Sequence, residues 1–287
     1  MSARWGDQVA EVADALVRKD EGRIARELPS REALRGVIER LHVALFAAEL
    51  GPGGLDPQGR RAFVHLSIDE ALRALSEQVG REPGLKPTPD ALVRRFMAQL
   101  AGIRDLLETD LAAAVAGDPA ATSTTEVLLC YPGFYATLHH RIAHALHRLG
   151  APLVARAIAE IGHAATAIDI HPGATIGERF FIDHGSGVVI GETAELGRDV
   201  RLYQGVTLGA RSFPVDAEGH IVRGAPRHPI LEDEVHVYAG ATILGRVTIG
   251  RGSVIGGGVW LTRSVPAHSR ILQAPVRADA FADGAGI

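Results

Sequence analysis

Residues 181–187 read FIDHGSG, and three of these side chains could take part in group transfer. Asp183 and His184 are adjacent, and Ser186 follows closely. An acid, a histidine and a serine are the groups of a nucleophilic hydrolase site, but a neutral imidazole can also take a proton from a hydroxyl group of a bound substrate. The heptapeptide alone does not separate these two chemistries, because nothing in it shows which oxygen atom attacks.

From about residue 168 onward, aliphatic residues recur every six positions. The in-phase runs are Ile170, Ile176 and Ile182; Ile190, Leu196, Leu202 and Leu208; and Val237, Ile243, Ile249, Ile255 and Leu261. A helix cannot keep this period on one face, because about 3.6 residues complete one helical turn. Glycine and other small residues after the aliphatic positions allow a corner every six residues. The pattern therefore predicts a triangular parallel β-helix.

Two interruptions of the six-residue period stand out. Ile182 and Ile190 lie eight positions apart, and the residues between them include the acid–histidine pair. A longer polar insertion follows Leu208, carries Pro and Gly, and is predicted to leave the solenoid as a loop over 210–229. Insertions in a repeat array commonly carry function.

The first half of the chain has a helical period instead. Apolar residues recur at threes and fours between the N-cap residue Ser30 and the stop signal at 51–54. A second helix is predicted from the N-cap Thr88 to about 117, and a third over about 134–149. We therefore predict three parts, which are a helical domain over 1–150, a β-helix domain over 151–275 and a flexible tail over 276–287.

Composition argues against several classes of protein. The formal net charge of −4, without a run of basic residues, argues against a nucleic-acid binder. The single cysteine, Cys130, excludes an internal disulfide and fits a reducing compartment; we expect it to be buried as a small apolar residue. No signal peptide and no apolar stretch near the ~20 residues of a membrane span are found. A cytoplasmic protein without a nucleic-acid or membrane partner is predicted.

The second half resembles a known family. DIHPGATIGERFFIDHGSGVVIGETAELG, PRHP and YAGATILGRVTIGRGSVIGGG are similar to segments of bacterial and plant serine acetyltransferases, which are hexapeptide-repeat acyltransferases. The match is dense over 168–262 and extends back to 118–120 and 133–146. The long insertion before PRHP fits a longer-chain branch of that family. At 272–280 the sequence LQAPVRADA departs from the family pattern, so no contact to the adenine end of CoA is transferred there.

The resemblance implies an all-helical N-terminal domain followed by a left-handed parallel β-helix. It also implies transfer of an acetyl group from acetyl-CoA to the hydroxyl of L-serine, which gives O-acetyl-L-serine for cysteine biosynthesis. His184 matches the general base, and Asp169 matches the carboxylate that orients its ring. Acetyl then moves directly to the substrate, so Ser186 is a bystander.

Further site residues follow from the same resemblance. Asp118 and Asp183 match positions that hold the ammonium group of the substrate, and Arg227 suits its carboxylate through a bidentate fork. His228 matches a second histidine that touches the substrate. Small side chains that let the pantetheine arm of CoA approach the backbone are implied at Gly209, Ala210, Ala239 and Gly257. No metal cofactor is implied.

Partners are implied as well. The C-terminal Ile287 matches the residue that inserts into the active site of O-acetylserine sulfhydrylase, and an apolar side chain beside a free carboxylate suits such capture. Feedback inhibition by L-cysteine is implied by the resemblance. Triangular β-helices of this kind assemble as homo-oligomers, and the sequence leaves a trimer and a hexamer open.

Three alternatives remain open from the sequence. The acceptor could be another small hydroxyl compound, such as homoserine or a sugar. The chain could also be a non-catalytic regulatory scaffold for O-acetylserine sulfhydrylase. Finally, His140, His144 and His147 have the spacing of metal ligands on one helix face. Because no glutamate follows His140, we favour packing or an assembly surface for these three residues.

Overall fold

The computed structural model describes residues 5–20, 27–213 and 216–274. Within these ranges, eight helices precede the first strand. They are α1 (Gly6–Arg18), α2 (Arg31–Leu45), α3 (Pro57–Gly80), α4 (Pro89–Met97), α5 (Leu100–Gly117), α6 (Thr124–Cys130), α7 (Pro132–Arg148) and α8 (Pro152–Thr166). The predicted helical first half is confirmed. None of the described helices is both long and apolar enough to cross a membrane.

Local sequence explains where these helices begin, and partly where they end. The predicted N-caps are confirmed, because the hydroxyls of Ser30 and Thr88 accept hydrogen bonds from the first turns of α2 and α4. The helix after Ser30 ends at Leu45 rather than near residue 50, since Phe46 leaves the helical region at φ −124° and ψ 45°. The helix predicted from 89 to 117 divides into α4 and α5 at a turn over 98–99.

The last helix, α8, lies after the predicted domain boundary at residue 150. Its buried side chains Val154, Ala155 and Ile158 belong to the same apolar core as α7. The chain then enters its first strand at Asp169. The helical part of the structure therefore extends through α8, and the repeat region begins where the six-residue period begins.

Fourteen short strands follow in the described residues. They are β1 (Asp169–Ile170), β2 (Thr175–Ile176), β3 (Phe181–Asp183), β4 (Val189–Ile190), β5 (Glu195–Leu196), β6 (Arg201–Tyr203), β7 (Thr207–Gly209), β8 (Ile230–Leu231), β9 (His236–Val237), β10 (Thr242–Leu244), β11 (Thr248–Ile249), β12 (Val254–Ile255), β13 (Trp260–Leu261) and β14 (Arg270–Ile271). They form three parallel sheets, so the predicted left-handed β-helix is confirmed.

Sheets one and three take one strand from each of five coils, and sheet two takes one from each of the first four, with only an isolated bridge at Val265 in the last coil. Sheet one has the order β1-β4-β7-β10-β13, sheet two β11-β8-β5-β2 and sheet three β14-β12-β9-β6-β3. Register places aliphatic residues directly above one another, as in the column of Ile190, Leu208 and Ile243 on sheet one. These side chains are buried and form the solenoid core. The six-residue period of the sequence is therefore one side of the triangle, and every third side stacks on the same sheet in the next coil.

Two corners of this triangle matter for function. The 3–1 corner joins sheet three to sheet one and comprises residues 184–188, 204–206, 238–241 and 256–259. The 1–2 corner joins sheet one to sheet two and comprises residues 171–174, 191–194, 210–213, 216–229 and 245–247. The insertion over 210–229 leaves the solenoid at the 1–2 corner, as predicted.

A buried ion pair fixes the helices to the first coil. Arg141 on α7 donates to both carboxylate oxygens of Asp110 on α5, at 3.0 and 3.1 Å. The same guanidinium donates to the carbonyls of Ile176 and Gly177, each at 2.6 Å, and Asp110 accepts from the Phe180 N–H at 2.8 Å. Because both charges are buried and every contact crosses to the β-helix or between helices, this pair sets where α5 ends relative to β3.

Candidate active site

His184 begins the 3–1 corner, immediately after β3. Its backbone lies in the left-handed region, at φ 58°, and its side chain is 74% exposed. Gly185 follows at φ 90°, and a Cβ there would meet Ile168 at 2.5 Å, so only glycine fits against the coil below. The strained turn presents the imidazole outward to solvent. Ser186 is also exposed.

Two carboxylates lie near this histidine. Asp183 ends β3 with its side chain largely buried, and its Oδ1 is 3.9 Å from His184 Nε2. Asp118 caps the end of α5, where Tyr131 donates to its Oδ2 at 2.6 Å and the Ala120 N–H donates to its Oδ1 at 2.8 Å. The structure thus groups three predicted site residues that come from a helix end, a strand and a corner.

Hydrogen bonding keeps Asp118 ionised and Tyr131 protonated. The Tyr131 hydroxyl is the main cause that lowers the pKa of Asp118, and the charges of Arg201 and His184 lower it further. The same hydrogen bond raises the pKa of Tyr131 to about 12. Asp118 therefore stays an anion beside His184 across the neutral pH range.

Asp169 lies at the start of sheet one, on the coil adjacent to His184. Its N–H donates to the Val188 carbonyl at 2.9 Å, so it is hydrogen-bonded to the corner that His184 begins. Its carboxylate lies 3.8 Å from Arg156 on α8. Among the described contacts, none joins the Asp169 carboxylate to the imidazole. The predicted pairing of Asp169 with His184 therefore stays a prediction, supported by their common corner.

Arg227 and His228 end the insertion at the 1–2 corner. Arg227 donates to the Glu192 carboxylate at 2.5 Å, and its N–H donates to Thr193 Oγ1 at 2.9 Å. The His228 N–H donates to the same hydroxyl oxygen at 3.1 Å. Glu192 and Thr193 follow β4 on the coil below, so they hold the end of the long loop against the solenoid.

The ring of His228 is fixed in one protonation state. The Thr193 N–H donates to Nδ1 at 3.0 Å, so the neutral ring carries its proton on Nε2. Burial, followed by the charge of Arg227, lowers the pKa of His228 to about 4. A Cβ on Gly191 would lie 2.0 Å from the ring, so glycine there makes room for it. His228 is a neutral hydrogen-bond donor at Nε2.

The predicted site residues thus fall on two corners of one chain. The 3–1 corner holds His184, together with the predicted CoA-contact residues Ala239 and Gly257, which lie on later coils. The 1–2 corner holds the predicted CoA-contact residue Ala210 and the predicted substrate-binding residues Arg227 and His228, and the predicted CoA-contact residue Gly209 ends the strand that leads into this corner. Sheet one separates the two groups. The predicted partner-binding residue Ile287 lies outside the described residues.

The histidines of α7 and the single cysteine lie outside the candidate site. His140 is buried, and the ring of His144 lies 5.5 Å from it and contacts the Pro172 carbonyl at 2.9 Å. Their surroundings agree with packing between α7 and the first coil. Cys130 is exposed at the end of α6, so the prediction of a buried cysteine is wrong. It ends the short helix α6, whose buried face is formed by Val127 and Leu128.

Carboxylates and a histidine meet beside Asp169. Donor atoms of Glu160, His163 and Asp169 all lie within 4.8 Å of one another. The guanidinium of Arg156 is already among them, at 2.6 Å from Glu160 and 3.8 Å from Asp169. A protein cation therefore already pairs with both carboxylates of this cluster.

A groove of about 490 Å³ opens between the end of α5 and sheet three. Its walls include Gly117, Phe181, Arg201 and His236, but none of the predicted catalytic residues. Gly117, which directly precedes Asp118, and Arg201, which donates to Asp183, both line it. The predicted catalytic residues therefore do not lie in this groove.

Sequence reasoning missed several residues that hold the site together. Tyr131 and Arg201 contact the two carboxylates of the 3–1 corner, and Glu192 and Thr193 hold the 1–2 corner. The sequence does mark Glu192 and Thr193, because they lie shortly after Ile190, where the six-residue period resumes. Tyr131 and Arg201 carry none, since one precedes an ordinary helix and the other lies on an ordinary strand.

Comparison with known proteins agrees with this architecture. Residues 228–263 match the family model described as bacterial transferase hexapeptide (six repeats). A plasmid serine acetyltransferase of Synechococcus elongatus is 50% identical over 275 residues, which cover 91% of this chain and 86% of the relative. The alignment therefore extends through most of the helical half as well as the solenoid.

Two solved structures are similar over most of the chain. Serine acetyltransferase 1 of Entamoeba histolytica, in complex with L-cysteine, has a TM-score of 0.75 and 35% identity, covering 87% of this chain and 88% of that one. Serine acetyltransferase of Neisseria gonorrhoeae, in complex with serine, has a TM-score of 0.57 and 27% identity, covering 84% and 97%. With the helical half, the hexapeptide coils and the extent of these matches, the chain belongs to the serine acetyltransferase family.

Proposed function

We propose that this protein transfers the acetyl group of acetyl-CoA to the hydroxyl of L-serine, with His184 as the general base. The observation that carries the proposal is the meeting of Asp118, Asp183 and His184 at one corner, in a chain that belongs to this family. An exposed imidazole beside two carboxylates suits an acceptor that carries both a hydroxyl and an ammonium group. A sugar acceptor would leave this charge unused.

The reaction then needs no covalent enzyme intermediate. His184 takes the proton of the serine hydroxyl as its oxygen attacks the thioester carbonyl, and the CoA thiolate leaves. The ionised Asp118 and Asp183 hold the ammonium group, which also places the hydroxyl toward the imidazole. Asp169, from the coil below, stabilises the imidazolium that forms. The imidazolium of His184 then gives its proton to the leaving CoA thiolate, which restores neutral His184.

The substrate carboxylate is bound from the 1–2 corner. Arg227 offers a planar fork, and His228 offers its fixed Nε2–H, so both are hydrogen-bond donors suited to a carboxylate. Glu192 and Thr193 hold these donors before substrate arrives, which reduces the entropy lost on binding.

Because sheet one separates the two corners within a chain, we propose that a complete site forms between copies. The 3–1 corner of one copy would face the 1–2 corner of the next, and repetition of this contact closes a trimer. Acetyl-CoA would lie along the same groove, where small residues at Gly209, Ala210, Ala239 and Gly257 leave room for its pantetheine arm. Pairing of trimers through the helical half would give a hexamer.

Regulation follows from the same site. The solved relative with bound L-cysteine supports feedback inhibition, because cysteine shares the ammonium and carboxylate groups of serine.

We also propose that Ile287 binds O-acetylserine sulfhydrylase. A chain without Ile287 should lose this binding in calorimetry and keep acetyl transfer. Equal binding with and without Ile287 would contradict the idea. A cytoplasmic location remains a prediction.

A thiol-release assay with acetyl-CoA and a panel of acceptors tests the function. We expect serine to be acetylated well above homoserine and above a simple sugar, with no thiol release when the acceptor is omitted. A preference for homoserine or a sugar would contradict the assignment of the substrate. Absence of turnover with every acceptor would favour the regulatory scaffold.

A further inference from the structure

Arg201 bridges the two chain segments that carry the substrate-facing carboxylates. It lies on β6, in register with Phe181 on β3. One terminal nitrogen donates to the Gly117 carbonyl at 2.6 Å, and the other donates to Asp183 Oδ2 at 2.7 Å. Gly117 directly precedes Asp118. A single guanidinium therefore joins the end of α5 to the end of β3, at the point where Asp118 and Asp183 approach each other.

Aromatic rings hold this guanidinium in place. Its central carbon lies 4.9 Å from the ring centre of Phe181 and 4.7 Å from that of Tyr203. Tyr203 in turn stacks on Tyr238 of the next coil, with 4.9 Å between ring centres and an interplanar angle of 9°. Such contacts favour a planar, weakly hydrated guanidinium over an ammonium group. The side chain is only 18% exposed, so solvent screens the bridge weakly.

Charge gives the bridge a second role. Asp118 and Asp183 together would repel each other and favour a ligand with two positive charges. Arg201 neutralises Asp183 in part, so the corner keeps about one net negative charge. One α-ammonium group supplies the matching positive charge, whereas an amino acid with a second cation would be disfavoured.

We propose that Arg201 is a positioning residue of the amino-acid site. It fixes the separation of Asp118 and Asp183, and it reduces their combined negative charge to about one, which a single ammonium group balances. The inference rests on the proposed function. In this role Arg201 holds the two carboxylates through its contacts to Gly117 and Asp183, and the carboxylates make the contacts to the substrate.

Steady-state kinetics of Arg201→Gln and Arg201→Lys test this role, with Arg179→Gln as the matched control. Arg179 and Arg201 both line the groove between the end of α5 and sheet three, but Arg179 pairs with Asp199 and not with Asp118 or Asp183. We expect Arg201→Gln to raise KM for serine by about tenfold or more, with kcat changed less and KM for acetyl-CoA unchanged. Arg201→Lys keeps the charge but loses the planar bridge, so its KM should lie between. The control should match the wild type.

Unchanged KM for serine in both Arg201 variants would overturn the inference. So would a fall in kcat alone together with a lower Tm, since that result means that Arg201 only stabilises the fold. If Arg201→Gln does not fold, Arg201→Lys carries the same test. A wild-type protein that does not turn over serine contradicts the proposed function instead. Calorimetry then tests Arg201 by itself, and equal Kd values for serine in wild type and variant overturn its role.

Discussion

The two corners that carry the site are built in different ways. At the 3–1 corner, backbone glycines stack coil upon coil: Gly187, Gly205, Gly240 and Gly258 all have φ between 65° and 79°. His184 is exposed above them, with its ring held by few contacts. At the 1–2 corner, hydrogen bonds from side chains hold the backbone in place. Thr193 binds the loop end, and Arg246 from the coil above donates to the Thr193 and His228 carbonyls.

This difference separates two tasks of the site. A base must accept a proton and release it within each turnover, so an exposed imidazole with few partners suits the task. A group that recognises a carboxylate gains most from being fixed before the ligand arrives, because less entropy is then lost on binding. The 3–1 corner therefore supplies the chemistry of the proposed reaction, and the 1–2 corner supplies recognition.

Removal of the base should have the largest effect. We expect His184→Ala to lower kcat by about 10²- to 10⁴-fold, because the exposed imidazole is the group assigned to take the hydroxyl proton, while Asp118 and Asp183 are assigned to the ammonium group. Ser186→Ala is the matched control from the same corner and should keep wild-type turnover. Circular dichroism checks that both variants fold. Near wild-type kcat in His184→Ala would contradict the assignment of the base.

Changes at the 1–2 corner should affect binding more than turnover. Arg227→Gln removes the planar fork, so KM for serine should rise by roughly ten- to a hundredfold while kcat falls less. Arg223→Gln lies in the same loop, on an exposed side chain, and should leave both constants unchanged. A large fall in kcat at constant KM would show that the two corners do not divide the work in this way.

His228 should couple the stability of the protein to pH. The folded pKa of His228, about 4, is below its unfolded value of about 6.5, so the unfolded chain binds more protons. The stability from neutral His228 is complete above pH 6.5 and is lost as pH falls toward 4. Between pH 7.5 and pH 5 the loss is about 1–2 kcal/mol.

Urea unfolding at both pH values measures this coupling. His228→Gln should reduce the pH dependence of the free energy of unfolding, relative to the wild type. His220→Gln, on an exposed side chain of the loop, is the control and should not. An equal pH dependence in His228→Gln and wild type would mean that the ring is not held neutral by burial. Other buried histidines, such as His139 with a pKa lowered to about 4, add to the total in both proteins.

The smallest effect is expected from the glycine stack. Gly205→Ala places a side chain at φ +69°, with its Cβ 3.4 Å from the Cα of Gly240. It should lower the free energy of unfolding by about 1–2 kcal/mol without changing KM for serine. Gly53→Ala, where a Cβ meets nothing within 4 Å, is the control. A changed KM in Gly205→Ala would show that the backbone corner also shapes recognition.

The sequence predicts the repeated coils, but it does not predict contacts between residues that lie far apart in the chain. Six-residue spacing fixes the coils, and the eight-residue interruption marks the turn that exposes His184. The docking of α5 on the first coil, which brings the helix end that carries Asp118 to β3, depends instead on the buried pair of Asp110 and Arg141. No local pattern reports such a long-range contact.

The residues that support the site were missed for a related reason. Arg201 has the sequence context of any outward-facing strand residue, and its role exists only because Gly117 and Asp183 meet above it. The exposure of Cys130 was mispredicted because a short amphipathic helix buries only one face. The division at 98–99 was missed because neither glycine nor proline marks it.

The central claim is that the two corners complete one site between copies of the chain. Mixing tests it most directly, because His184→Ala and Arg227→Ala each damage a different corner. Each variant alone should be nearly inactive at low serine. Refolded together in equal amounts, they should form trimers in which some interfaces pair an intact 3–1 corner with an intact 1–2 corner.

Random assembly predicts recovery of about a quarter of wild-type activity, since each intact corner is present with a probability of about one half. Size-exclusion chromatography with light scattering confirms that the mixed sample has the wild-type mass. Recovery near a quarter supports a site shared between copies. Activity no higher than the mean of the two variants would contradict it and would place both corners in a site within one chain.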